Sequence, residues 1–300
     1  MLKFTMHTLT QGKPLSMMPL SLFYLSPDMD NFHSASFMPI ISLASQEARK
    51  IRYVLMDIDD TLTTDGKLLA ESYAALWRLH EAGLKVIPVT GRPAGWCDLI
   101  AREWPADGVV GENGAFAFWE GEGHHLLTLS HPNAILNTDP RLLALRDRVL
   151  SEIPGARLAR DQFSRLYDIA IDFAEEEPIL PLSEAIRIQS IFMEGGAKAK
   201  ISSIHVNAWM GEYDKLSMAL SFLSARFGYD DKSEVETVIF AGDSPNDEPM
   251  FEHFPMACGM ANVLKYGELI KKPPHFVTQK ESGAGFAELA DILLERRRMN

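Results

Sequence analysis

The chain has 300 residues, of which 46% are hydrophobic and 23% charged, a composition typical of a folded protein with room for two domains. Lysine and arginine number 29 against 41 aspartates and glutamates, and the resulting net charge of −12 argues against nucleic acid or an anionic membrane as the main partner. The two cysteines, Cys97 and Cys258, lie far apart and form neither a disulfide framework nor a metal-ligand cluster, so we interpret both as core thiols of a cytoplasmic protein.

Residues 1–49 predict an N-terminal extension that is poorly ordered. The apolar stretch MMPLSLFYL, at 17–25, is interrupted by Pro19 and is too short to cross a membrane. It lacks a clear small-residue cleavage site after it, which argues against a secretory signal. We therefore expect the folded part of the chain to begin near residue 50.

From residue 51 onward, short apolar runs alternate with helix-like segments. Each run is too continuous in its hydrophobicity for a half-exposed antiparallel strand, and helical patterns follow, which indicates a parallel sheet covered on both faces. The predicted strands are IRYVLM (51–56), KVIPV (85–89), DGVVG (107–111), VETVIFAG (235–242), MACGM (256–260) and HFVT (275–278). Two helices are predicted over 71–83, ending at Gly83, and over 214–228, from Asp214 to Gly228. The pattern predicts an α/β fold, with a doubly wound, Rossmann-like parallel sheet formed by residues 50–130 and 210–300.

Between residues 131 and 209 the pattern changes. A helix is predicted over 138–155, with Asp139 as its N-cap and Pro140 at its first position. The rest of this stretch predicts a strand at 164–173, a helix at 181–196 and a strand at 199–209. We therefore predict a small α+β domain that is inserted into the sheet domain and lies over its carboxyl edge.

Carboxylates crowd the ends of the predicted strands. Asp57 and Asp59 are two residues apart, so on an extended segment their side chains share a face, while Asp60 points away. Asp243 follows another strand, and the carboxyl ends of parallel strands meet at one edge of the sheet. Several carboxylates facing one pocket need a compensating cation, and a set of oxygen ligands suits Mg²⁺. Lys215 can supply further positive charge.

Four segments occur in the order and approximate spacing of known motifs. DIDDT (57–61), VTGR (89–92), Lys215 and GDSPND (242–247) resemble the four motifs of the haloacid dehalogenase-like hydrolase superfamily. The insertion resembles the type 2 cap of that superfamily. GENGA, at 111–115, resembles subfamily IIB, which includes sugar-phosphate phosphatases. The resemblance covers about residues 50–297 and rests on four motifs together, since each alone is weak.

The resemblance implies a role for each matching residue. The implied catalytic residues are Asp57 as nucleophile, Asp59 as acid and base, Thr90 as a donor to the phosphoryl group and Lys215 as the balancing charge. The implied substrate-binding residues are Thr90, Gly91, Arg92, Lys215 and Asn246. The implied Mg²⁺ ligands are Asp57, Asp59 through its backbone carbonyl, Asp243 and Asp247.

The activity implied by the resemblance is that of a Mg²⁺-dependent phosphatase. Its partner would be a small-molecule phosphate ester, such as a sugar phosphate or a phosphorylated sugar-acid, cleaved through an aspartyl-phosphate. A phosphomutase of the same subfamily is the first alternative, since it would pass the phosphoryl group back to a sugar. A phospho-aspartate signalling module is the second, but it has no use for Asp59 or for the inserted domain. The sequence does not indicate an oligomeric state.

Further polar residues near the motifs have open roles. We expect Thr61 to brace its loop by local hydrogen bonding. The roles of Arg92, Glu112 and Asn113 are open: Arg92 can reach the substrate or the inserted domain, Asn113 can orient the loop beside the metal, and plain turn chemistry is the alternative. His124 and His125 lie in a predicted hairpin loop, where an exposed pair is the expected reading.

Overall fold

The computed structural model describes residues 37–202 and 204–299. Its strands are β1 (Met38–Pro39), β2 (Tyr53–Met56), β3 (Thr63–Thr64), β4 (Lys67–Leu68), β5 (Lys85–Pro88), β6 (Val109–Gly111), β7 (Phe116–Glu120), β8 (Leu126–Ser130), β9 (Arg157–Leu158), β10 (Asp168–Asp172), β11 (Lys198–Ile201), β12 (His205–Trp209), β13 (Val238–Gly242), β14 (Met256–Gly259) and β15 (Phe276–Val277). Its α-helices are α1 (Ser45–Lys50), α2 (Ala70–Glu81), α3 (Ala94–Glu103), α4 (Pro140–Glu152), α5 (Leu182–Glu194), α6 (Lys215–Phe227), α7 (Asp231–Glu234), α8 (Glu248–His253) and α9 (Ser282–Arg298). Within these described ranges, no helix is long and apolar enough to cross a membrane.

A six-stranded parallel sheet forms the core, in the order β1-β15-β14-β13-β2-β5. Successive residues of its strands are buried on opposite faces: Val54 and Met56 pack with α2 and α9, whereas Tyr53 and Leu55 pack with α6 and α8. Both faces are therefore covered, which explains why the strands read as continuous apolar runs. The predicted Rossmann-like α/β fold is confirmed.

One predicted strand pairs differently from expectation. The run DGVVG yields β6, which is antiparallel to β7 and meets the parallel sheet through a single bridge between Val89 and Val110. The physical reason is the turn after β6, where Glu112 and Asn113 have φ values of 42° and 57°. This turn sends the chain directly back into β7, so β6 is paired within the antiparallel sheet β6-β7-β8.

The described part of the predicted N-terminal extension belongs to the core. Met38 pairs with Phe276 at the edge of the sheet, and Ile40 is fully buried. Helix α1 packs against α9, whose Arg297 donates to the backbone carbonyl of Ala48. The boundary predicted at residue 49 is therefore placed too late, because apolar residues before it are needed to cover α9. The remainder of the predicted extension, 1–36, lies outside the described residues.

Helices α4 and α5 pack on a separate antiparallel sheet of order β11-β12-β10-β9. Asp139 caps α4 as expected, because its side chain accepts a hydrogen bond from the N–H of Arg141. The segment 199–209, predicted as one strand, instead forms parts of β11 and β12. The reversal is fixed by Ser202, whose N–H donates to the carbonyl of His205 while its Oγ accepts from the N–H of His205.

Candidate active site

Three aspartates meet where β2 and β13 end. Met56 lies opposite Ala241 in this pairing, so Asp57 follows β2 beside Gly242, the residue before Asp243. Asp247 arrives from the short turn after Asp243, and its Oδ2 accepts the N–H of Asp243 at 3.1 Å. Gly242 permits this approach, since a Cβ there would lie only 2.6 Å from Oδ2 of Asp247. One carboxylate oxygen from each of the three aspartates lies within 4.8 Å of the others.

Lys215 joins two of these carboxylates. Its Nζ lies 3.0 Å from Oδ2 of Asp57 and 2.9 Å from Oδ1 of Asp247, and all three side chains are buried. Lys215 is the first residue of α6, where the side chain of Asp214 caps the helix by accepting the N–H of Ser217. The lysine predicted from motif order therefore does lie inside the aspartate cluster.

Burial and the concentration of charge shift the pKa values of these groups. Burial raises the pKa of Asp57 to about 7, with Lys215 lowering it and Asp247 raising it. Burial, followed by Asp247 and Asp57, holds the pKa of Asp243 well above its ordinary value. Burial lowers the pKa of Lys215, but the two carboxylates outweigh it and the net pKa is raised. One ammonium does not neutralise three carboxylates, so the cluster favours a further cation.

Asp243 is held from two directions. Thr61 donates from Oγ1 to Oδ1 of Asp243 at 3.0 Å, and Asn262 donates from Nδ2 to Oδ2, also at 3.0 Å. The expected local role of Thr61 is thereby corrected, because its partner is 182 residues away. Asn262 also donates to the carbonyl of Asp60 and accepts the N–H of Ser282. No periodic or motif signal in the sequence pointed to Asn262, which acts through long-range polar contacts.

The side chain of Asp59 lies outside the cluster of three aspartates. Strand β2 ends at Met56, so the alternation of side chains expected for an extended segment does not continue to Asp59. Its half-exposed carboxylate is paired with Arg92, whose Nη2 lies 2.6 Å from Oδ1. The guanidinium of Arg92 also stacks on the ring of Trp96. The carboxylate of Asp59 is therefore not part of the cluster of three aspartates. That its backbone carbonyl binds the metal stays a prediction.

The loop after β5 carries the other predicted substrate contacts. Thr90 is fully buried, and its Oγ1 accepts the N–H of Arg92 at 3.1 Å. The carbonyl of Gly91 accepts from Nη1 of Arg165, a residue of the inserted unit. Asn246 lies in the turn of Asp247, where its Oδ1 accepts from the hydroxyl of Ser244. The substrate-binding roles of these residues stay predictions.

Glu112 and Asn113 lie in the turn after β6, and their side chains also reach the inserted unit. The Glu112 carboxylate is buried and accepts the N–H groups of Ala94 and of residues 166–168. Burial and then Asp168 raise its pKa to about 7, against the lowering effect of these N–H groups. Asn113 lies 3.4 Å from the carboxylate of Asp168. Both residues therefore attach the core to the inserted unit.

His124 is exposed and bonds to Glu120.

Comparison with known proteins agrees with this geometry. The sequence profile of haloacid dehalogenase-like hydrolases matches residues 54–135, which include Asp57 and Thr90. A phosphoglycolate phosphatase of Pyrobaculum neutrophilum is 25% identical over 246 residues, covering 81% of this chain and 96% of that protein. The fold matches a protein of Thermoplasma acidophilum with a TM-score of 0.63 at 17% identity, over 81% of this chain and 98% of that one. It matches a subclass IIB sugar phosphatase with a TM-score of 0.53 at 15% identity, over 80% and 98% of the two chains. The similarity to haloacid dehalogenase-like hydrolases therefore covers residues 54–135, and the similarity to the Pyrobaculum phosphatase extends over 81% of the chain.

Proposed function

We propose that the chain is a Mg²⁺-dependent phosphatase that hydrolyses a small phosphorylated metabolite through an aspartyl-phosphate on Asp57. The observation that carries the proposal is the buried meeting of Asp57, Lys215, Asp243 and Asp247 at the carboxyl edge of the sheet. Phosphoryl transfer depends chiefly on positioning and on neutralising charge, and this cluster supplies a nucleophile together with both kinds of charge.

The donor set fits Mg²⁺. Carboxylate oxygens from Asp57, Asp243 and Asp247 lie close enough to share one ion, and hard divalent cations prefer oxygen ligands. The raised pKa of Asp57 and of Asp243 reflects negative charge in excess of Lys215, which a divalent ion would relieve. When bound there, the ion would neutralise charge on the phosphoryl oxygens.

The residues of the chain can then carry both half-reactions. A carboxylate oxygen of Asp57 forms a bond to phosphorus while the ester oxygen leaves with a proton from Asp59. Asp59 then takes a proton from water, whose oxygen attacks phosphorus, and the Asp57–phosphorus bond breaks to give inorganic phosphate. Lys215 stays within hydrogen-bonding distance of Asp57 and offsets charge in both steps. The hydroxyl of Thr90, which already accepts from Arg92, keeps its proton for a phosphoryl oxygen.

The comparisons suggest a compact substrate. The Pyrobaculum relative is a phosphoglycolate phosphatase, and one structural neighbour is a sugar phosphatase. The inserted unit contacts the loop at Gly91 directly, so it lies over the edge of the sheet where the ester would bind. We therefore propose a phosphorylated small acid or a sugar phosphate as the substrate class, in preference to a phosphoprotein.

Phosphate release from a panel of esters tests the proposal. The panel should include 2-phosphoglycolate, hexose phosphates and p-nitrophenyl phosphate, each with and without Mg²⁺. Asp57→Asn serves as the blank, and Asp65→Asn, an exposed acid in the same segment, serves as the matched control. Mg²⁺-dependent release by the wild type and by Asp65→Asn alone supports the proposal. Release equal in Asp57→Asn would refute the nucleophile, and phosphoryl transfer only in the presence of a sugar bisphosphate would indicate a mutase.

A further inference from the structure

Three consecutive carbonyls of the loop after β5 each accept a hydrogen bond from a residue outside the loop. The carbonyl of Thr90 accepts the N–H of Asn113, and the carbonyl of Arg92 accepts the N–H of Glu112, each at 3.1 Å. Between them, the carbonyl of Gly91 accepts Nη1 of Arg165 at 3.1 Å. The carbonyls of Thr90 and Arg92 are bonded by residues of the core. Only the peptide between Gly91 and Arg92 is bonded by a residue of the inserted unit.

The central peptide connects Arg165 to the hydroxyl of Thr90. A peptide unit is planar, so holding the carbonyl of Gly91 on one side directs the N–H of Arg92 to the other side. That N–H donates to Oγ1 of Thr90. Because the hydroxyl oxygen accepts this bond, its own proton remains available to donate, which is the orientation a phosphoryl oxygen needs.

Arg165 is itself fixed firmly enough to act in this way. It is 6% exposed, and its guanidinium is paired with Asp168 at 2.9 Å and with Asp161 at 3.1 Å. Asp168 is held in turn by Nδ2 of Asn207 at 2.9 Å. Glu112 accepts the N–H groups of the three residues that follow Arg165. Buried charges arranged with this many partners form a rigid unit.

We propose that Arg165 is a positioning residue for phosphate binding, which orients the Thr90 hydroxyl through the peptide between Gly91 and Arg92. This inference rests on the proposed function, since it assigns Thr90 to the phosphoryl group. The inserted unit then contributes to the binding of the phosphoryl group common to all substrates, in addition to any contact with the leaving group.

A double-mutant cycle between Arg165 and Thr90 tests the inference. Arg165→Met should raise both the inhibition constant for inorganic phosphate and the KM for p-nitrophenyl phosphate by about tenfold, which is within the coupling observed for contacting networks. In a Thr90→Val background the same change should have an effect below twofold, because the hydroxyl on which it acts is absent. A full tenfold effect in that background, or no effect in the wild type, overturns the inference.

Arg157→Met is the matched control, since Arg157 lies in the same unit and pairs with the buried Asp172 without contacting the loop. Hydrogen exchange of a peptide spanning 88–96 should rise in Arg165→Met and stay unchanged in Arg157→Met. Equal exchange in both variants contradicts the inference.

If Arg165→Met does not fold, the double variant Arg165→Met with Asp168→Asn removes both charges together and is measured in the same way. Absence of turnover in the wild type would refute the proposed function, whereas unchanged exchange at 88–96 refutes the inference alone.

Discussion

Replacing Lys215 by methionine separates its two effects on the site. The ammonium stabilises the ionised nucleophile, because its Nζ lies 3.0 Å from Asp57, and it repels any cation bound by the neighbouring carboxylates. Removing it should therefore lower turnover and at the same time tighten the binding of Mg²⁺. A change that only disrupted the fold would weaken both properties together.

The contacts of Lys215 set the expected magnitudes. A charge-assisted hydrogen bond contributes about 1.5–3 kcal/mol, and one pKa unit corresponds to about 1.4 kcal/mol, so the acid limb of the rate profile should move upward by about 1–2 pH units. The direction follows from the proposed chemistry: ionised Asp57 is the proposed nucleophile, and without Lys215 it would ionise only at higher pH. Loss of one preorganised donor to developing charge lowers kcat by about 10²–10³. Mg²⁺ should bind at least about tenfold more tightly, since unit charges 4 Å apart interact by about 4 kcal/mol at an effective dielectric constant of 20.

The assay compares kcat and the acid limb of the rate profile in one buffer series at saturating substrate, together with the Kd for Mg²⁺. The Kd is measured by calorimetry at pH 9, so that Asp57 is ionised in the wild type and largely ionised in the variant. Lys50→Met is the control, because Lys50 forms an exposed pair with Glu236 and should leave all three readings unchanged. Thermal unfolding with and without Mg²⁺ identifies the folded variants. Weaker Mg²⁺ binding in folded Lys215→Met, or an acid limb that stays in place, would refute this reasoning.

Three further outcomes are expected. Asp57→Asn should retain the wild-type melting temperature while turnover falls below a tenth, measured by phosphate release; a larger residual rate contradicts its role as nucleophile. Since the pKa of Asp57 is raised to about 7 and a cation binds the ionised form, Mg²⁺ affinity should fall as pH drops through 7, with proton release detected by calorimetry in two buffers; a pH-independent Kd would count against the site. Ile40→Ala should lower the free energy of unfolding by about 2–5 kcal/mol in urea, because Ile40 is fully buried; a negligible change would show that the segment before residue 50 is dispensable.

The parts of the fold that could be predicted are those encoded by local patterns. Strands buried on both faces need continuous apolar runs, and Asp57 and Asp243 could be placed together because each follows such a run. Strand β1 could not be found in this way, since it has two residues and pairs only at the sheet edge. The hairpin at Ser202 was missed because alternation of side chains continues on both sides of the reversal.

The polar contacts of the site were less predictable for a different reason. Thr61, Asn262 and Glu112 each bond to groups far away along the chain, and no period or spacing encodes such a partner. An isolated buried polar residue in a sequence looks like a turn residue, and only the folded chain shows what it satisfies. Lys215 could be assigned to the site only because its place in the motif order resembles that of the family. Its local sequence gives no sign that it pairs with Asp57 and Asp247.

The same long-range contacts restrict how the inserted unit can move. It is attached at its linkers, where Asn133 donates to the carbonyl of Glu212, and again where Glu112 accepts three successive N–H groups and Arg165 reaches Gly91. Each buried partner left unsatisfied costs about 1–3 kcal/mol, so separating the second attachment would cost several kcal/mol and leave the separated state sparsely populated. A rotation that preserves this joint would therefore cost less than one that breaks it. Because the joint also holds the peptide that we propose orients Thr90, such a rotation would admit a substrate without disturbing the proposed phosphate-binding geometry.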